Sequence, residues 1–141
     1  MAVTGIEAFQ SGIKQEVAAL DFRLEAGVDL VVKEAADAAL AEMQHVIDTT
    51  PSSLSHYPKD NRNWTFHMRD SLDAKPVYED RNRAIDAGWL EVQEDYFLIQ
   101  EDGGTAFGKT VTPMHALLNG EAAMVLALNT GLERLVKTLG N

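Results

Sequence analysis

Apolar residues recur every three or four positions through the first third of the chain: Ile13, Val17, Leu20, Leu24, Val28, Val31, Ala35, Ala39, Met43 and Val46. That spacing puts them on one face of a helix, and the Ala and Glu between them favour the same state. A long N-terminal helical region is predicted over about 13–48. Unbroken, it would measure about 50 Å, given a rise of about 1.5 Å per residue. Gly27 is its weak point, where a bend or break is expected. Pro51 ends it by pushing Thr50 out of the helical region. A second stripe, Leu118, Ala122, Val125, Leu128, Leu132, Leu135 and Leu139, marks a C-terminal helix over about 113–139. Thr112 suits its N-cap and Pro113 its first position, while Lys137 and Gly140 suit its end. Gly120 and Gly131 lower helix propensity there and permit close packing.

Between the helices the period changes. Residues 51–63, PSSLSHYPKDNRN, hold two prolines, three serines and two asparagines, the composition of a loop. A loop this long is expected to stay mobile until a partner covers it. Ser71–Glu79 and Arg83–Val92 both alternate apolar with polar residues, and the link Asp80–Asn82 is short. They predict an antiparallel hairpin within about 69–92, with Pro76 at an edge or bulge. Asp95–Glu101 reads as a short helix stopped by Gly103, and glycine-rich 102–111 as a flexible arm. The predicted fold is α+β: one domain over 1–141, with a small antiparallel sheet packed against a long N-terminal helix and a long C-terminal helix. The second face of the sheet is left for a neighbouring subunit.

Within this frame the stretch DYFLIQEDGG, Asp95–Gly104, poses the main question. Trp89, Tyr96, Phe97, Ile99, Met114 and Leu117 are the expected core corner between sheet and last helix, because large aromatics supply burial there. Gln100, Glu101 and Asp102 are then expected to leave the core, Gly103 and Gly104 to turn the chain outward, and the arm with Phe107 to reach a neighbour. Arg69 and Asp70 are expected to open the hairpin, either as a solvated pair or as a bridge to a neighbour's acidic patch.

The chain has 141 residues, a formal net charge of −10 and no cysteine. Thiol chemistry and thiolate metal sites are therefore excluded. The charge speaks against gripping nucleic acid, which takes cations to displace counterions from phosphates, and against anionic membranes. No apolar run reaches the roughly 20 residues that span a bilayer, and the first residues lack a basic segment followed by an apolar block. A soluble protein made in the cytoplasm is expected.

Candidate chemistry is thin. His45, His56, His67 and His115 form no zinc-helix spacing, and no phosphate loop or nucleophile elbow occurs. Adjacent Glu101 and Asp102 do not point at a common substrate atom, whether on a helix or a strand, and do not make a paired-carboxylate site. No catalytic residue, cofactor or metal is expected. Two other readings stay open: a small acidic enzyme assembled from His67, Glu101 and His115, and an acidic imitation of DNA that blocks a nucleic-acid-binding protein.

Four segments together bring a family into view. They are TFHMRDSL (Thr65–Leu72), the pair Gly88–Trp89, YFLIQEDG (Tyr96–Gly103) and PMHAL (Pro113–Leu117). In this order the chain resembles the small neck or tail-completion proteins of long-tailed bacteriophages, the minor tail or head–tail connector components. Phe66 and His67 depart from the resemblance, standing where a glycine and a variable residue are usual. The resemblance implies a virion protein without catalytic residues. It implies a homo-oligomeric ring, with a hexamer as the implied count, between capsid connector and tail tube. It also implies contacts with other neck proteins, a tail terminator or the tail tube protein, and DNA passing through without specific binding. Six copies at −10 each sum to about −60, a field that repels DNA phosphates.

Overall fold

The computed structural model of the chain describes residues 5–50, 67–106 and 108–140. The loop expected over 51–63 lies outside the described residues, as does Phe107.

The first helix, α1, spans Gly5–Thr49. It runs unbroken through Gly27, where a bend or break was the expectation. The reason lies across the seam: a Cβ at Gly27 would collide with the Leu135 side chain. Glycine is present there for close approach, and the helix continues because its other contacts hold it. The last helix, α4, spans Ala116–Leu139 and lies antiparallel to α1. Gly27 faces Leu135, Val31 faces Gly131, and Met43 faces Gly120. A Cβ on Gly131 would sit 2.7 Å from Val31 Cγ1. Arg134 Nη2 donates to Glu34 Oε2 at 2.8 Å along the rim.

This seam turns α4 away from the face that its apolar stripe predicts. Ala116, Gly120 and Gly131 are buried, whereas Leu118, Ala122, Val125 and Leu132 are exposed. Val31 and Met43 of α1 pack over Gly131 and Gly120 of α4, and Leu135 of α4 packs over Gly27 of α1, so part of the bulky stripe of α4 is left facing outward.

A one-turn helix, α2, covers His67–Asp70. Arg69 and Asp70 thus close a helical turn and do not open a strand. The hairpin pairs β1 (Asp73–Glu79) with β2 (Asn82–Gly88), in register from Asp73 opposite Gly88 to Glu79 opposite Asn82. Its turn is tighter than expected, Asp80–Arg81, with Asp80 at a φ of 52°, which a short polar side chain tolerates. Strand β2 ends at Gly88, short of Val92. Gly88 has a φ of 130° and a Cβ there would lie 3.3 Å from Leu117 Cδ2, so the chain turns where it meets the last helix.

Helix α3 spans Asp95–Asp102 and stops at Gly103, whose φ is 82° and whose N–H donates to the Ile99 carbonyl. The stretch expected as a flexible arm is instead a second, short hairpin: β3 (Gly104–Ala106) pairs antiparallel with β4 (Lys109–Val111). Val111 is buried and anchors it. The architecture is α+β, with a long N-terminal helix, a long C-terminal helix and the β1–β2 sheet between them. The core gathers near the carboxyl end of α1: Met43, Val46 and Ile47 meet Met68, Leu72, Trp89, Phe97, Met114 and Ala116.

Candidate functional site

Phe97 is the centre of the predicted corner and is fully buried. Trp89 lies against it with ring centroids 5.1 Å apart, and Tyr96 meets it edge-on at 4.7 Å. Trp89 is placed by its indole N–H, which donates to the Met68 carbonyl at 2.9 Å. Met114 is buried, and Leu117 packs on the same cluster from the side. Ile99 is half-buried. Tyr96 corrects the expectation: its side of α3 faces water and it is 46% exposed. Burial of what remains, then the charge of Glu94, raises its phenol pKa above the ordinary value.

The larger correction concerns Glu101. Expected to leave the core, it is 4% exposed. One carboxylate oxygen accepts the Ala116 N–H at 2.7 Å and the other accepts the Leu117 N–H at 2.8 Å. Those are two of the backbone donors that a helix start leaves unpaired. A carboxylate there also meets the positive end of the helix dipole. The backbone repeats the link, as the Met114 N–H donates to the Gln100 carbonyl at 2.9 Å and the His115 N–H to the Glu101 carbonyl at 3.2 Å. Helix α4 therefore starts at Ala116, later than the Thr112–Pro113 signal suggests. His115 stands at the cap position with a φ of 55° and makes no side-chain capping bond. The signal for Glu101 was present in the sequence: it lies four residues after Phe97, on the same helix face. Asp102, by contrast, is exposed, and Gly103 and Gly104 do turn the chain, with φ of 82° and 148°.

The three residues of the enzyme reading hold separate posts. Both Glu101 oxygens are occupied by helix N–H groups. His115 is exposed at the cap. His67 packs on Phe97 with centroids 5.4 Å apart, and its Nε2 lies 3.5 Å from Glu94 Oε1. Among the described residues no three His, Asp or Glu side chains are placed to hold a metal ion. Arg69 turns inward to its own chain. Its Nε lies 3.1 Å from the Asp48 carboxylate and its Nη1 3.3 Å from Asp70. The hydrogen bond to Asp48, then the attraction of that charge, raises the guanidinium pKa. The pair ties α2 to the end of α1.

One cluster went unread in the sequence. Asp21, Glu25 and Asp29 stand one turn apart on α1 and face the β1–β2 turn. Arg83 Nε donates to Asp29 at 2.5 Å, its Nη2 lies 3.3 Å from Glu25, and its guanidinium sits 5.0 Å from the centre of the Tyr78 ring. Arg81 lies 3.8 Å from Asp21. The i, i+4 row of carboxylates was the available sign. The cleft they line measures about 170 Å³, below the roughly 300–1,000 Å³ of small-molecule pockets. These groups latch the hairpin to the helix.

Part of the exterior is apolar. Lys14–Ala26 of α1 are all exposed, Phe22 by 73%. On α4, Leu126 and Val136 are each 68% exposed, beside Leu118, Val125 and Leu132. Among the described residues no helix is long and apolar enough to cross a membrane. Comparison with known protein families, characterised proteins and solved structures finds no match to this chain.

Proposed function

We propose that this chain is a structural subunit of the neck or tail end of a long-tailed bacteriophage virion. In this reading it assembles into a ring that joins the capsid connector to the tail tube and lets DNA pass. The observation that carries it is the pair of exposed apolar helix rows, Val17, Leu20 and Leu24 on α1 and Leu118, Val125 and Leu132 on the outer side of α4. Contiguous exposed apolar rows are the kind of surface that protein contact covers. The neck assignment rests on the four sequence segments that resemble neck and tail-completion proteins. Two of them, YFLIQEDG and PMHAL, supply the Glu101 clamp and the buried Phe97, which makes them scaffold for a shape. The net charge of −10 suits a subunit of a channel that DNA crosses without binding. The partners are other copies of the chain, further neck proteins, and a tail terminator or tail tube protein.

Electron microscopy of the purified protein, and of particles produced without it, tests the proposal. Rings are expected from the first and tails unattached to heads from the second. Protein that stays monomeric at every concentration, with normal particles in its absence, would overturn it.

A further inference from the structure

Helix α1 is longer than the body it serves. Leu135 of α4 lies against Gly27, so the end of α4 at Leu139 reaches α1 about one turn further back, near Arg23. Gly5–Phe22 then extends past α4 for roughly 18 residues, or about 27 Å. The apolar row that packs on α4 does not stop there. It continues backward from Val31 and Gly27 through Leu24 and Leu20 to Val17 at the same three–four spacing, and those three side chains are exposed. A helix of this length draws most of its stability from packing, and Val17, Leu20 and Leu24 have about half of their surface in water.

A second face of equal length is open on the same chain. Leu118, Ala122, Val125, Asn129, Leu132 and Val136 follow a three–four spacing on the side of α4 opposite α1, and all six are exposed. From Leu118 to Val136 this row also spans about 27 Å.

We propose that the free amino-terminal length of α1 docks antiparallel along the outer face of α4 in a second copy of this chain. The proposal rests on the ring reading above and names the surface by which copies meet. The step of three from Val17 to Leu20 matches the step from Ala122 to Val125 and also the step from Asn129 to Leu132. The first register is the one that sets Leu20 against a small apolar residue and not against polar Asn129, so Val17 meets Val125 and Leu20 meets Ala122. Leu20 against Ala122 repeats the large-into-small contact that Val31 and Gly131 make inside the chain. Charge agrees with this direction. Arg23 flanks the first row and Glu121 the second, both exposed, on the side that antiparallel docking brings together. Because the two faces differ, the contact is heterologous, the kind from which rings close.

The chain has no cysteine, so introduced thiols report directly. Leu20→Cys and Ala122→Cys chains, prepared separately, are mixed and oxidised. A mixed disulfide between the two variants is expected, and much less of it when Leu20→Cys is mixed with Leu126→Cys, which lies off the row. Val17→Asp or Val125→Asp should weaken self-association by roughly tenfold or more, as burial of an unpaired charge does, while circular dichroism stays unchanged. Oligomers that persist in both Asp variants and yield no mixed disulfide overturn this interface and leave the ring reading standing. Protein that never self-associates overturns this interface, and normal particles in its absence overturn the ring reading as well.

Discussion

The two ends of α1 are held by different physics. At the carboxyl end, Met43, Val46 and Ile47 close on Phe97, Trp89 and Met114, and the polar groups that enter, Trp89 Nε1 and the Glu101 carboxylate, have partners at 2.7–2.9 Å. Toward the amino end the hairpin is fastened by ions, Arg83 to Asp29 and Glu25 and Arg81 to Asp21, and further out the apolar side chains face water. A buried corner is insensitive to salt, whereas ion pairs with exposed members, such as Arg81–Asp21 and Arg83–Glu25, are weakened by it. One end of the molecule is thus finished by its own sequence, and the other leaves Val17, Leu20 and Leu24 exposed.

Substitutions can break that contrast, beginning at the corner. Phe97→Ala removes the ring shared by Trp89, Tyr96 and His67 and should cost about 3–5 kcal/mol, read as a lower urea midpoint. Glu101→Ala strands the Ala116 and Leu117 N–H groups and should cost about 3 kcal/mol. Glu101→Gln, which keeps one acceptor, should recover part of that loss in the same denaturation. In the seam, Gly131→Ala sets overpacking of about 1–3 kcal/mol against a helix gain of about 1 kcal/mol. A net loss of about 1 kcal/mol in thermal unfolding is expected, and Val31→Ala in the same chain should relieve it if the clash is the cause. The smallest global effect belongs to the latch. Arg83→Ala should speed amide exchange in β1 and β2 and leave the corner protected, and raised salt should do the same to the unaltered chain. Equal loosening of the corner in that experiment would end the distinction between the two ends.

Much of the fold was legible because two long segments keep helical period and two shorter ones alternate. The failures share a cause, which is that periodicity names a face without naming its partner. The stripe from Leu118 to Leu139 is real, yet α1 prefers the narrower face with Gly120 and Gly131, where backbones come close. Residues 102–111 carry no period, since three-residue strands are too short to show one, and of the two strands' described residues Val111 is the one drawn into the core. The start of α4 followed a distant carboxylate over the local Thr112–Pro113 signal. Glu101 was misread for the same reason: a charged residue beside another charge looks like surface until the helix end that binds it is known. Arg83 joined α1 across 54 positions of sequence, a distance at which only the acidic row on α1 gave notice.

The Glu101 clamp has a further consequence for how the chain comes apart. Helices ordinarily fray from their first turn, since capping by a neighbouring residue survives local opening. Here the cap is 15 positions away and belongs to α3, so the first turn of α4 cannot open while α3 stays docked. The Ala116 and Leu117 amides should then exchange with solvent only in the largest opening event of the molecule, making the start of this helix one of its slowest places to unravel.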